Sequence, residues 1–313
     1  MILQTPKTIL LLGGTSHIAK GLITHFLQDN HFSIEWFGRS RQRMKAFLDE
    51  NGLSGNITIH ENYDSLLETR GDALINCVGA GTPAELKGDY TLWFTVLEKY
   101  DNACIDYLRQ INPKALYIDF SSGAVYGRGQ SETSISINPN DIRIPDFYAL
   151  SKLYSEAKHR AYSEYNIVDI RIFSYFSRYA DFSSGYLMTD ILKAITNNST
   201  LKTSKEDVTR DYISPDDLFA LIECCLAQQK INTAIDAFST KSVSKQEIID
   251  TFIRDFKLKV EFSLPNVSSV NATPSIYTPK NFNARQIGYS PTHSSLSALL
   301  YEAKIMLEQQ SRP

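Results

Sequence analysis

The spacing of hydrophobic residues divides the first half of the chain into alternating strands and helices. Residues 8–12 form a continuous apolar run, which is typical of a strand covered on both faces. Between residues 18 and 27 the apolar positions instead recur at helical spacing. The same alternation continues, and it predicts further strands at 32–37, 57–59, 73–78, 115–120 and 167–173, with helices at 42–48, from 63, within 91–110 and from about 148 to 165.

Strands that alternate with helices at this spacing indicate a parallel sheet with helices on both faces. We therefore predict an α/β fold, a Rossmann-type doubly wound parallel sheet, over residues 1–173. Beyond residue 173 the segments become more polar and irregular. Residues 174–313 are expected to form a smaller, mixed, substrate-binding lobe, which exchanges segments with the first domain and closes a cleft over the carboxyl ends of the strands.

Composition narrows the class of protein. A net charge of -3 over 313 residues argues against a general nucleic-acid binder. The four cysteines show no metal-ligand spacing, so we expect a reduced, cytoplasmic protein without a structural metal. The first twelve residues have only a short apolar run, which fits a buried strand better than a membrane span or a signal peptide.

A glycine turn joins the first strand to the first helix. Glycines let the backbone approach a pyrophosphate, and the helix N-terminus offers unpaired N–H donors to it. A tight turn that binds nothing is the alternative. The expected dinucleotide contacts are Gly13, Thr15, Ser16, His17 and Ile18, together with Val78, Gly79 and Ala80 after the fourth strand.

The end of the second strand indicates which dinucleotide is bound. A carboxylate there would accept hydrogen bonds from the adenosine ribose, but the chain has Gly38 followed by Arg39, Ser40 and Arg41. Guanidinium groups pair with phosphate oxygens, so we predict that NADP(H) is preferred over NAD(H). The alternative is that these arginines are solvated residues at the start of the next helix.

Tyr148 and Lys152 stand four residues apart on a predicted helix and therefore share one of its faces. A neighbouring ammonium stabilises a phenolate and lowers the pKa of the tyrosine towards the range of a general acid or base. The pair alone is weak evidence, because the same spacing arises by chance on surface helices.

With these features in place, the chain resembles the extended short-chain dehydrogenase/reductase family, particularly its nucleotide-sugar epimerase, dehydratase and ketoreductase branch. Beyond the turn and the Tyr148/Lys152 pair, the similar stretches are 120–127 (FSSGAVYG), 210–217 (RDYISPDD) and 283–291 (NARQIGYSP). They occur in the order of the family and span nearly the whole chain.

The resemblance implies a role for each matching residue. Tyr148 would be the catalytic acid/base, Lys152 would lower its pKa and hold the nicotinamide ribose, and Ser122 would hydrogen-bond the reacting oxygen. Ser121 is the less favoured candidate for that last role. Arg210 would reach the diphosphate of a nucleotide sugar, unless it only supports a turn. Tyr175, in an aromatic stretch after the last strand, would contact the substrate or pack between the lobes.

The chain also departs from the family pattern. Ser16 and Ala19 replace the second and third glycines of the turn. The carboxylate that usually contacts adenine has no clear counterpart among Glu61, Asn62 and Asp64. Asn102 is a loose candidate for the asparagine that often supports the site.

The reaction can be narrowed further. Family dehydratases commonly carry an acidic pair where this chain has Gly123 and Ala124, so a 4,6-dehydratase is not expected. We predict reduction of a keto group in a nucleotide-activated deoxysugar for surface polysaccharide synthesis. The alternatives are an NAD-dependent nucleotide-sugar 4-epimerase and a non-catalytic NADP-sensing or scaffold relative. A homodimer, paired through the helix after strand four and the tyrosine helix, is the family default.

Overall fold

The most apolar segments of the chain lie side by side at the centre of one parallel sheet. The computed structural model describes residues 7–81, 83–127, 137, 140, 142–263 and 275–310. The strands in these ranges are β1 (Lys7–Leu12), β2 (Phe32–Phe37), β3 (Ile57–His60), β4 (Ala73–Asn76), β5 (Leu116–Ser122), β6 (Asn166–Ile172), β7 (Ser174–Tyr175), β8 (Thr200–Ser204), β9 (Thr209–Arg210), β10 (Tyr212–Ile213), β11 (Asn232–Asp236), β12 (Val243–Ser244), β13 (Lys259–Ser263) and β14 (Ile276–Tyr277).

Within the described residues the main sheet has seven strands in the order β11-β6-β5-β4-β1-β2-β3, and every pairing is parallel. The chain therefore runs outward from β1 to β3 on one side and from β4 to β11 on the other. The direction reverses between β1 and β4. In open sheets of this kind, ligands bind outside the carboxyl ends of the strands at that switch point.

Serine side chains define where many of the helices begin. Ser16, Ser40, Ser214 and Ser244 each accept a hydrogen bond from a backbone N–H in the first turn of the helix that follows. The helices are α1 (His17–Gln28), α2 (Arg41–Glu50), α3 (Pro83–Leu86), α4 (Leu92–Gln110), α5 (Ile144–Ala161), α6 (Leu187–Thr196), α7 (Pro215–Leu226), α8 (Lys245–Phe256) and α9 (Ser295–Gln310).

Alternate residues of β1 supply two different cores. Ile9 and Leu11 join the core that contains residues of α1, α2 and α7, whereas Leu10 and Leu12 join the core that contains residues of α4. Successive strand residues point to opposite faces, so an unbroken apolar run is what a strand buried on both faces requires. A third core, built from α6, α8 and α9 around residues such as Leu192 and Phe252, lies in the C-terminal part of the chain.

The observed elements follow the predicted order but differ from it at several places. The segment after residue 63 is a short 3₁₀-helix, Asp64–Glu68. Helix α5 begins at Ile144, four residues before Tyr148, where the Asp146 carboxylate accepts a hydrogen bond from the N–H of Arg143 at 2.8 Å. Two elements beyond residue 173 pack with the main sheet and its helices, because β11 pairs with β6 and α7 packs on α1. In the described part of the chain, no helix has the length and apolar character needed to cross a bilayer.

Candidate active site

Two positions in the turn after β1 have room for glycine only. Gly13 has a φ of +81°, and a Cβ on it would lie 2.6 Å from the carbonyl carbon of Cys77. A Cβ on Gly14 would overlap the indole Nε1 of Trp36. Ser16, which stands where the family has glycine, has a structural use here because its hydroxyl accepts the N–H of Ala19 at 3.2 Å.

The surroundings of this turn fit a dinucleotide. The turn lies at the carboxyl end of β1, next to the switch point of the sheet, and it leads into the N-terminus of α1. Gly79, which follows β4 on the other side of the switch point, faces open space, since a Cβ on it would meet no described atom within 4 Å. The predicted contacts on both sides thus line one edge of the sheet.

His17 and Tyr175 are brought together in a way that the sequence did not predict. Their rings stack with centroids 5.0 Å apart and an angle of 14° between the planes. Burial, helped by the nearby Lys20, lowers the pKa of His17 to about 4, so its ring is neutral at pH 7. The hydroxyl of Tyr175 is directed at Gly21 on α1. This position favours a packing role for Tyr175 over substrate contact.

The side chains of the three residues after Gly38 differ in whether they already form hydrogen bonds within the protein. The Ser40 hydroxyl caps α2 by accepting the N–H of Arg43 at 3.3 Å. Arg41 donates to the backbone carbonyl of Ile59 at 3.0 Å. Arg39 is exposed, and none of the described groups forms a hydrogen bond or ion pair with its guanidinium. Of the two predicted arginines, Arg39 is therefore the one available to a phosphate.

Tyr63 is a neighbour of the glycine turn that sequence reasoning missed. Its hydroxyl accepts the N–H of Gly13 at 3.3 Å, and burial raises the pKa of Tyr63 to about 12. Among the three candidates for adenine contact, Asn62 is engaged locally, because its side-chain oxygen accepts the N–H of Asp64 at 3.0 Å. In the sequence, the only indication of a role for Tyr63 is its position between Asn62 and Asp64, two of these candidates.

Lys152 is fixed in the interior between α5 and β5. Its Nζ donates to the carbonyl of Phe120 at 2.5 Å and lies 4.0 Å from Oδ2 of Asp119. Burial alone would lower the pKa of Lys152, but the charges of Asp119 and Tyr148 outweigh it and raise that pKa. Lys152 is therefore a cation beside Tyr148 at neutral pH.

The fold separates the two serines at the end of β5. Ser121 donates its hydroxyl to Glu156 at 2.5 Å, and the same carboxylate receives a bidentate pair from Arg171 at 2.6 and 2.9 Å. Ser122 instead lies 3.1 Å from the hydroxyl of Tyr277. Of the two, Ser122 takes no part in the internal ion pair, and its partner Tyr277 interacts electrostatically with Tyr148.

Tyr277 connects several predicted residues, although the sequence gave no sign of it. Burial, together with the nearby Tyr148, raises its pKa, whereas its bond to Ser122 acts in the opposite direction. The guanidinium of Arg210 stands over the Tyr277 ring, 5.4 Å from its centroid. Through Tyr277, the structure brings Arg210, Ser122 and Tyr148 to one region. Tyr148 itself packs against Trp93, with ring centroids 5.5 Å apart.

Asn102 lies elsewhere. It is exposed on α4, and its side-chain oxygen accepts a hydrogen bond from Lys158 at 2.6 Å, which places it away from the Ser122 side of the site. In the residues that the structure describes, no cluster of three or more histidine, cysteine or acidic side chains could hold a metal ion.

Known proteins share this architecture. A crystal structure of UDP-glucose-4-epimerase from Stenotrophomonas maltophila, with bound NAD and formylated UDP-arabinopyranose, is 15% identical over 98% of this chain and 99% of that chain, with a TM-score of 0.82. UDP-glucuronic acid 4-epimerase from Bacillus cereus, in complex with UDP-glucuronic acid and NAD, is 18% identical over 96% and 99% of the two chains, with a TM-score of 0.77.

A third structure, UDP-N-acetylglucosamine 4-epimerase from Methanobrevibacter ruminantium M1 in complex with UDP-N-acetylmuramic acid, is 18% identical over 98% of this chain and all of that chain, with a TM-score of 0.77. At these identities the likeness shows the fold. No curated protein matches the chain.

The family assignment rests on a separate finding. A family model described as the NAD dependent epimerase/dehydratase family matches residues 9–236, which include the glycine turn, Ser122, Tyr148 and Lys152. The chain therefore belongs to the NAD-dependent epimerase/dehydratase family, and it is an enzyme of the short-chain dehydrogenase/reductase type.

Proposed function

We propose that this enzyme reduces a keto group of a nucleotide-activated deoxysugar and that it prefers NADP(H) to NAD(H). The observation that carries the proposal is the end of β2, where Arg39 is exposed and unengaged among the described residues and no carboxylate takes its place. The acid on β2 itself, Glu35, is already paired with His60 at 2.7 Å.

The proposed chemistry of the site is proton transfer by Tyr148. When bound, the nicotinamide supplies the hydride that the carbonyl carbon accepts. Tyr148 gives its phenolic proton to the carbonyl oxygen, and Ser122 donates a hydrogen bond that orients this oxygen. The cationic Lys152 then stabilises the resulting phenolate until solvent restores the proton.

The residues around Tyr277 support the proposed substrate class. Arg210 supplies a cation on the same side as Ser122, and a guanidinium suits the diphosphate of a nucleotide sugar. A 4,6-dehydratase is still not expected, because Gly123 and Ala124 carry no group that could move a proton. We assign the product to surface polysaccharide synthesis by the resemblance alone.

An NAD-dependent nucleotide-sugar 4-epimerase is the second candidate. The observation that favours it is the set of similar structures, since several are 4-epimerases and two of those described above contain NAD. The same three residues serve both reactions. An epimerase retains its cofactor and returns the hydride to the other face, whereas a reductase exchanges its cofactor at every turnover.

We also propose a cytoplasmic homodimer. All four cysteines are unpaired, which suits a reducing compartment. Helices α4 and α5 pack on each other and expose Phe94 and Tyr154, which offers an aromatic surface for a second copy. Size-exclusion chromatography with light scattering tests the dimer.

The cofactor decides between the two reactions. The purified enzyme is denatured, any released nucleotide is identified, and refolded or nucleotide-free enzyme is titrated with NADPH and NADH. We expect exchangeable NADP(H) and tighter binding of NADPH, followed by reduction of 4-keto nucleotide sugars. Tightly retained NAD would overturn the reductase and favour the epimerase.

A charge reversal tests the role of Arg39. Arg39→Glu should weaken NADPH binding by about tenfold or more, because it replaces attraction to the 2′-phosphate with repulsion, and it should leave NADH within about threefold. Lys114→Glu is the matched control, since Lys114 is exposed at the opposite, amino end of the strands. Equal losses for the two nucleotides in Arg39→Glu would contradict the assignment.

A further inference from the structure

Behind the catalytic pair lies a buried charge cluster, formed by Asp101, Asp119, Lys152, Lys158, His159, Arg160 and Asp169. The three carboxylates and His159 are at most 5% exposed, and Lys152 is 6% exposed. Burying charged groups costs more free energy than burying apolar side chains of the same size, so such a cluster calls for an explanation beyond stability.

Two of the three carboxylates have cations of their own away from the active site. Asp101 binds Lys158 and His159, each at 2.6 Å. Asp169 binds His159 at 2.7 Å and Arg160 at 2.9 Å. Burial alone opposes the charge of His159, but its hydrogen bonds to Asp101 and Asp169 raise its pKa to about 10. Asp101 and Asp169 therefore have three cationic partners between them without Lys152.

Asp119 differs from the other two. Its Oδ1 accepts hydrogen bonds from the amide of Asn76 at 3.0 Å and from the hydroxyl of Tyr117 at 3.3 Å, and both donors are neutral. In the described part of the chain, Lys152 is the only cation within 4.0 Å of its carboxylate, and Asp119 is likewise the only acid that close to the Lys152 ammonium. Each group is thus the charge partner of the other.

We propose that Asp119 is a positioning residue of the catalytic pair, which keeps the Lys152 ammonium charged and directed along β5 towards Tyr148. The inference rests on the proposed function, because it assumes that Tyr148 and Lys152 act together. Asp119 and the Phe120 carbonyl are consecutive on β5, and both lie against the same Nζ atom. The strand therefore fixes the ammonium by a charge and by a hydrogen bond.

Titratable groups from four elements act on Lys152. They are Asp119 on β5, Tyr148 on its own helix α5, Asp169 on β6 and Asp101 on α4. Burial raises the pKa of Asp119, while Lys152 and His159 oppose that rise. Because Asp101 and Asp169 already have their own cations, Asp119 is the group whose removal should change Lys152 most.

The test follows the Lys152 ammonium directly. In protein labelled with ¹³Cε-lysine, the Lys152 signal is assigned by its loss in Lys152→Ala and then titrated by NMR. In Asp119→Asn we expect its midpoint to fall by at least about one pH unit, since an opposite charge at this distance typically moves a pKa by that much. Asp119→Glu retains the charge and should restore most of the midpoint.

The control variants distinguish a positioning role of Asp119 from a general loss of structure. Asp217→Asn removes another buried carboxylate, one that instead accepts hydrogen bonds from Thr292 and His293, and it should leave the Lys152 midpoint unchanged. Circular dichroism establishes that each variant is folded, and the smaller Asp119→Ser serves if the asparagine variant is not. An unchanged Lys152 midpoint in a folded neutral variant would overturn the proposal.

This measurement needs no substrate, so it can fail independently of the proposed function. If no nucleotide sugar is turned over, the Lys152 titration still reports whether Asp119 controls its charge. If turnover occurs, the pH profile of kcat in Asp119→Asn should move in the same direction as the Lys152 midpoint. If kcat falls equally at every pH and the shape of its pH profile is unchanged, Asp119 has a structural role.

Discussion

His159 offers the sharpest test of the buried charges, and the perturbation is His159→Gln. The imidazole bridges Asp101 and Asp169 and is fully buried, whereas glutamine has no charge and cannot donate along both of these directions. Asp101 would retain Lys158, and Asp169 would retain Arg160. The variant therefore isolates one cation in a site that otherwise keeps its partners.

The size of the effect follows from the pKa of His159, which the two carboxylates raise from 6.5 to about 10 against the opposing effect of burial. A change of this size corresponds to about 5 kcal/mol of stability. Because the folded-state pKa lies above the unfolded value, this contribution is complete below pH 6.5 and is lost as the pH rises towards 10. Between pH 6 and pH 9, about 3 kcal/mol of it should disappear.

The assay is urea unfolding at pH 6, 7.5 and 9, followed by circular dichroism for the wild type and the variant. We expect His159→Gln to be less stable by several kcal/mol at pH 6, and the difference should shrink steadily as the pH rises. His31→Gln is the control, because the His31 side chain is 82% exposed beside Asp29 and should contribute about 1 kcal/mol at most. A stability difference that stays constant from pH 6 to pH 9 would show that His159 is not a buried cation, and the reasoning would be refuted.

Two other predictions concern turnover and the buried ion pair between Arg178 and Glu302. Tyr148→Phe should lower kcat by about 10²-fold or more while cofactor affinity, measured by fluorescence titration, stays within about threefold; turnover within a few-fold of the wild type would contradict the acid role. Glu302→Gln should lower the free energy of unfolding, measured in urea, by about 3 kcal/mol. The reason is that the buried Glu302 carboxylate accepts hydrogen bonds from the guanidinium of Arg178, at 2.6 and 2.9 Å, and from the backbone N–H of Arg178, at 2.6 Å. A loss below about 1 kcal/mol would show that the pair is dispensable.

Much of the fold could be predicted from local pattern because the central strands are buried on both faces. A continuous apolar run such as residues 8–12 allows few other structures, and the serine caps fix the helix starts nearby. The position of β11 could not be predicted in the same way. Nothing within residues 232–236 indicates that this strand pairs with β6, some sixty residues earlier in the chain.

The residues of the candidate site show the same contrast between local patterns and long-range contacts. Residues held by short-range spacing, such as Tyr148 and Lys152, were visible in the sequence. The choice between Ser121 and Ser122 depends on Glu156, which is distant in sequence from both and is placed by the packing of α5. Tyr277 reaches Ser122 across 155 residues, so no local motif could reveal it.

The sequence contains one sign of the buried cluster. Asp119 and Asp169 each interrupt an apolar strand, and the structure pairs them in register across β5 and β6. Acids inside such strands require buried partners, which is a reason to search for them. The partner His159 could not have been identified from the sequence, because helical spacing alone does not show that its ring points into the core.

The late return of β11 to the sheet has a consequence for how the protein is made. Until residue 236 has left the ribosome, β6 presents an unpaired edge, and Asp236 has yet to meet the backbone N–H groups of Lys280 and Asn281 that it accepts in the finished fold. An open strand edge on a growing chain is a template for pairing with other chains. The order of synthesis therefore leaves this edge of β6 open while residues 173–236 are made, and chaperone binding to the nascent chain would protect it during that interval.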